Sequence, residues 1–240
     1  MTELAGDQTR GDSTAFFSGG QSARMSQNEV AALCLKAARG AGMTWGMAEE
    51  AGFAASWLTA RGLDGPRLLL AHLTAAQGRA WADLCPAVAP GAWAAPKGKS
   101  LCPIALGATL SDHAALATGL GAAPIKVGPV DQPLLVLPFL GSIAGASAGT
   151  VTMAWDGGTI EVDPAGRLTP DALAPLDGKT GVTLHLSLRH GQGARAGQRE
   201  PAPAIAAQTI AGLNAFALRT TVPASDASRA GAGASSSDND

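Results

Sequence analysis

The chain has 240 residues, is 46% hydrophobic and 15% charged, and carries a formal net charge of −2. That balance supplies apolar residues for one core of ordinary size without disulfide staples. It argues against nucleic acid as a partner, since phosphate binding needs a basic surface, and no apolar run reaches the ~18 residues that would span a membrane.

Residues 1–24 are polar, Gly/Ser-rich and aperiodic, and are expected to be a disordered extension without the pattern of a signal peptide. Ser26 and Glu29 have the spacing of a capping box, and Val30, Leu33, Cys34, Ala37 and Ala38 follow at helical spacing. Thr44 caps a second predicted helix that runs to about Arg61. Pro66 suits the first turn of a third, which ends near Ala76. Residues 25–77 therefore read as a helical unit, and 78–100, with Trp81, Trp93 and scattered prolines and glycines, as an irregular connector.

From Leu101 the expected texture is strands. The apolar runs 101–110 and 133–140 and the stretches 150–155 and 159–162 read as strands, with Asp156-Gly157-Gly158 as a turn. Val182, Leu184, Leu186 and Leu188 alternate with Thr183, His185, Ser187 and Arg189, the clearest period-two signal in the chain. Residues 191–199 read as a glycine-rich basic loop and 204–218 as a helix. The predicted class is α+β: an N-terminal helical unit followed by a mostly antiparallel sheet with a flanking C-terminal helix. The α+β body spans 101–219.

The candidate chemistry is dispersed. His113, expected at a strand end, and His185 are the candidate acid–base residues, because an imidazole titrates near neutrality. Arg189 shares a strand face with His185 and offers a planar fork to an anion. The three cysteines, Cys34, Cys85 and Cys102, form no CxxC pair, which points to free thiols in a reducing cytoplasm. The four histidines show no metal spacing, and no HExxH, GxSxG, P-loop or GxGxxG pattern is present, so neither metal nor cofactor is expected.

The segments NEVAALCLKAARGAGMTWGMAEEAG (28–52), ASWLTARGLDG (55–65) and RTTVPASDASRAGAGASSSDND (219–240) resemble a bacterial family known only as a domain of unknown function. The resemblance implies a family region of about 25–240, and no mechanism comes with it. Because it includes the tail, it implies that 220–240 packs on the body despite a composition suited to disorder. Arg219, Arg229, Ser225, Asp226 and Ser228 thereby become candidate anion-binding or site residues.

Two functions fit this reading. One is a cytoplasmic enzyme or binding protein for a small anionic metabolite, with His113, His185, Arg189 and tail residues converging on a pocket. The other is a non-catalytic subunit that docks on a partner enzyme.

Overall fold

The computed structural model describes residues 22–169, 173–191 and 201–220. Most of the extension 1–24, the greater part of the basic loop (Arg195 and Arg199 included) and the tail residues Ser225, Asp226, Ser228 and Arg229 lie outside the described residues. Ala23, inside the stretch expected to be disordered, exchanges backbone hydrogen bonds with Ile205 at 2.9 and 2.8 Å.

The first three helices follow their local signals. In α1 (Gln27–Gly40) both halves of the Ser26–Glu29 capping box are formed, and Val30, Cys34, Ala37 and Ala38 are buried. Helix α2 (Trp45–Thr59) buries Ala48, Ala51, Ala54, Ala55 and Leu58. The Asp64 side chain caps α3 (Gly65–Ala76), which has Pro66 in its first turn. The abundance of small residues serves close helix packing. A Cβ on Gly65 would meet the Ala55 carbonyl oxygen at 2.2 Å, and one on Gly40 would meet that of Phe216 at 1.7 Å.

Residues 78–100 are not an irregular connector. They supply two sheet strands, β1 (Ala87–Ala89) and β2 (Ala92–Ala94), and the fully buried Trp93. The two apolar runs read as strands are helices: α4 (Pro103–His113), and a 3-10 turn (Pro133–Val136) continuing into α5 (Leu137–Ala146). Both lie between the sheet and the outer helices. Helix α5 packs on β4 (Gly149–Trp155) and β5 (Gly158–Val162), α4 lies beside α5, and α2 covers both. Over 103–110 and 133–141 nearly every residue is buried, so the composition there matches that of a buried strand.

The remaining strands are β3 (Ile125–Val130) and β6 (Val182–His190). The sheet order is β1-β2-β3-β6-β4-β5, antiparallel throughout except for the parallel β2/β3 pair. Trp93, Ile125, Val127, Leu184, Leu186, Val151, Met153 and Ile160 are buried beneath the inner helices. The C-terminal helix α6 (Ala207–Ala217) flanks the molecule against α1 and α3. The chain is therefore α+β, with helices first, then a mostly antiparallel sheet, then a helix. No helix among the described residues is long and apolar enough to cross a membrane.

Candidate functional site

The polar centre of the molecule forms where α3, the start of α4 and the end of β3 meet. Leu101 runs beside Val130 as a one-residue parallel bridge, its N–H donating to Pro129 at 2.8 Å, while the Cys102 N–H donates to the Leu84 carbonyl at 2.9 Å. Proline follows immediately and α4 begins, with Cys102 as its N-cap. The Ala105 N–H points at Cys102 Sγ, 3.5 Å away. His72, on the buried stripe of α3, brings its Nε2 to 3.0 Å from the same sulfur.

Beyond the end of β3, Asp131 and Gln132 are 7% and 5% exposed. The Asp131 carboxylate accepts from Arg79 Nη1 and from the Gly181 N–H, each at 3.3 Å, and Arg79 Nη2 donates to the Ser100 carbonyl at 2.6 Å. Gln132 adopts the left-handed conformation, φ 45° and ψ 59°. For a residue other than glycine this stores about 1–3 kcal/mol, a cost met mostly at functional positions.

Burial dominates the electrostatics. It pushes the His72 imidazole down to about 4, opposed by the Asp131 charge and assisted by that of Arg79. It pushes the Cys102 thiol up to about 12, against the pull of the Ala105 and Ile104 N–H groups at the helix start. The resting pair is therefore a neutral thiol against a neutral imidazole. Among the described residues, two buried side-chain atoms have no hydrogen-bond partner in the protein, His72 Nδ1 and Gln132 Oε1. A buried polar atom left unpaired costs about 1–3 kcal/mol. Chemically, the arrangement offers a thiol with an adjacent proton acceptor at a helix N-terminus, and two enclosed polar atoms without a partner in the protein.

The residues singled out from sequence lie elsewhere, and the described ones do not converge. His113 sits at the C-terminal end of helix α4, not at a strand end. Its Nδ1 is 2.8 Å from Thr118 Oγ1 and its ring is edge-on to Trp93, so it braces the loop after α4. His185 and Arg189 do share a face, the solvent side of β6. There His185 stands between Lys126 and Ala154, and Arg189 pairs with Glu161. Arg219, beyond α6, lays its guanidinium over the Phe216 ring at 4.3 Å.

His72, Cys102, Asp131 and Gln132 were missed. The signals were a Cys-Pro pair at a helix start and an Asp-Gln pair directly after a strand. The first is obscured where 101–110 reads as a strand, and the second because the sequence reading assigns no strand to 125–130. Among the described residues, no group of three or more His, Cys, Asp or Glu side chains is placed to hold a metal ion.

No curated protein matches the chain. The resemblance noted over 25–240 has a narrower counterpart: residues 25–102 match the model of a family described as a protein of unknown function (DUF3726), a stretch that takes in α1–α3, β1 and β2 and ends on Cys102.

Proposed function

We propose that the chain is a bacterial cytoplasmic enzyme or binding protein for a small anionic metabolite, with its working centre at His72, Cys102, Asp131 and Gln132. The observation that carries this reading is the pair of buried unpartnered atoms, His72 Nδ1 and Gln132 Oε1, beside the His72–Cys102 contact. Two further features favour an anion. The first-turn N–H groups of α4 present the positive end of an 11-residue helix, and the Arg79 guanidinium lies close by. Three free thiols suit a reducing compartment. The pocket expected from His113, His185 and Arg189 gives way to this one, because His113 ends α4 while His185 and Arg189 stand on the solvent face of β6.

The test is a thermal-shift titration with inorganic phosphate and a series of small mono- and dicarboxylates. At least one should raise the Tm of the wild-type chain and fail to raise that of Gln132→Leu. Equal shifts in both chains, or none across the series, would count against the reading.

A docking role on a partner protein is the second reading. It is favoured by Trp45 and Phe53 of α2, 65% and 37% exposed. Under that reading, replacing both by alanine changes which proteins co-purify with the chain and leaves any anion-induced shift intact.

A further inference from the structure

We infer that Cys85 and Cys102 form a dithiol site that closes reversibly to a disulfide under a hydroperoxide, with His72 handling the proton. The inference needs no bound metabolite, although it draws on His72 and Cys102, two residues of the centre proposed above.

Geometry carries it. The Cys102 N–H donates to the carbonyl of Leu84, the residue immediately before Cys85, at 2.9 Å. This bond sets the backbone of residue 85 beside that of residue 102, as the ~4.4–6.8 Å α-carbon spacing of a disulfide requires. Both anchors are firm, since Leu84 is 5% exposed and Cys102 fully buried as the N-cap of α4. The Cys85 side chain is half-buried between a 3-10 turn (Trp81–Asp83) and β1, so a small oxidant reaches it first. The two thiols also lie within electrostatic range, Cys85 adding to the resistance of Cys102 to ionisation. Cys34, on the buried stripe of α1, has no part in the pair.

The chemistry divides into two steps. Cys85 sulfur attacks the terminal peroxide oxygen, the S–O bond forms as the O–O bond breaks, and the departing oxygen takes up the Cys85 thiol proton to leave as alcohol or water. Cys102 sulfur then attacks the Cys85 sulfur while its proton passes to His72 Nε2, 3.0 Å away. The S–S bond forms, the S–O bond breaks, and the departing hydroxide takes the proton from His72 to leave as water. Two thiols are oxidised and one peroxide is reduced. An incoming thiol reverses the closure by attacking Cys85, the more accessible sulfur.

The test treats the full chain with stoichiometric hydrogen peroxide and no other additive, then denatures it in iodoacetamide for intact-mass and non-reducing peptide analysis. The expected product alkylates once, at Cys34, and yields a linked peptide pair containing Cys85 and Cys102. Dithiothreitol should restore three alkylatable thiols. In Cys85→Ser no linked pair should form and Cys102 should stay a thiol. In His72→Gln, closure should slow at least tenfold while sulfenic acid at Cys85, trapped with dimedone, accumulates. Persistence of all three thiols, Cys85 oxidised past the sulfenic acid without a link, or unchanged closure in His72→Gln would overturn the inference. Cys85→Ser also separates the two proposals, because it loses the disulfide while retaining any anion-induced thermal shift.

Discussion

His72 Nε2 lies 3.0 Å from Cys102 Sγ although the two residues are 30 positions apart, and both side chains are fully buried. The contact ties the third helix to the N-cap of the fourth. It also places a titratable ring where protonation opposes folding.

The consequence is a specific pH dependence. The folded ring titrates at about 4, below the 6.5 of an unperturbed histidine. Between those values the unfolded chain binds the proton and the folded chain does not. Stability is therefore full above about pH 6.5 and falls as pH drops toward 4, by up to about 3 kcal/mol. Urea denaturation at stepped pH should show this slope, and His72→Gln should flatten it. An equal slope in both chains would place the titrating group elsewhere.

Native-state thiol labelling should rank the cysteines. Cys34 is buried, its thiol pushed up to about 12 by burial and by the nearby Asp64 charge, and Cys102 is equally enclosed. Half-buried Cys85 should alkylate first, with Cys34 and Cys102 following only on unfolding. Early labelling of Cys34 would contradict the packing of α1.

Two glycine substitutions should have opposite signs. In Gly40→Ala the new carbon would sit 1.7 Å from the Phe216 carbonyl oxygen, forcing α1 and α6 apart. That should cost about 1–3 kcal/mol or more. Gly46, in α2, has nothing within 4 Å of such a carbon. Gly46→Ala should be stabilising, by up to about 1 kcal/mol, through helix propensity. Thermal melts of the two variants decide both signs.

The outer face of β6 should be energetically quiet. Arg189 and Glu161 pair across exposed side chains, so Arg189→Ala should change stability by at most about 1 kcal/mol. It should also leave any anion-induced thermal shift unchanged. Loss of that shift would return the site to the strand face.

Local signals carried the parts of the fold that have one dry side. The Ser26–Glu29 box marked α1, Pro66 marked α3, and alternation from Val182 to Arg189 marked β6, because each element separates apolar from polar residues. Over 101–110 and 133–140 almost every residue is buried, so no wet face sets a period there. Leu101 to Leu110 and Pro133 to Leu140 could then be told from strands only by the prolines at 103, 133 and 138, which open helical turns. The site was harder still. His72, Cys102 and Asp131 belong to three segments with no shared motif; the seating of Leu101 beside Val130 brings Cys102 near Asp131, and the His72–Cys102 contact adds α3.

The most direct test of the central claim is where an anion lands. In amide spectra of the full chain titrated with the anion giving the largest thermal shift, the account predicts the greatest changes at Ile104, Ala105, Gln132 and Gly181, around the His72–Cys102 contact. Changes centred instead on Thr152, His185, Ser187 and Arg189, the solvent face of the sheet, would contradict it.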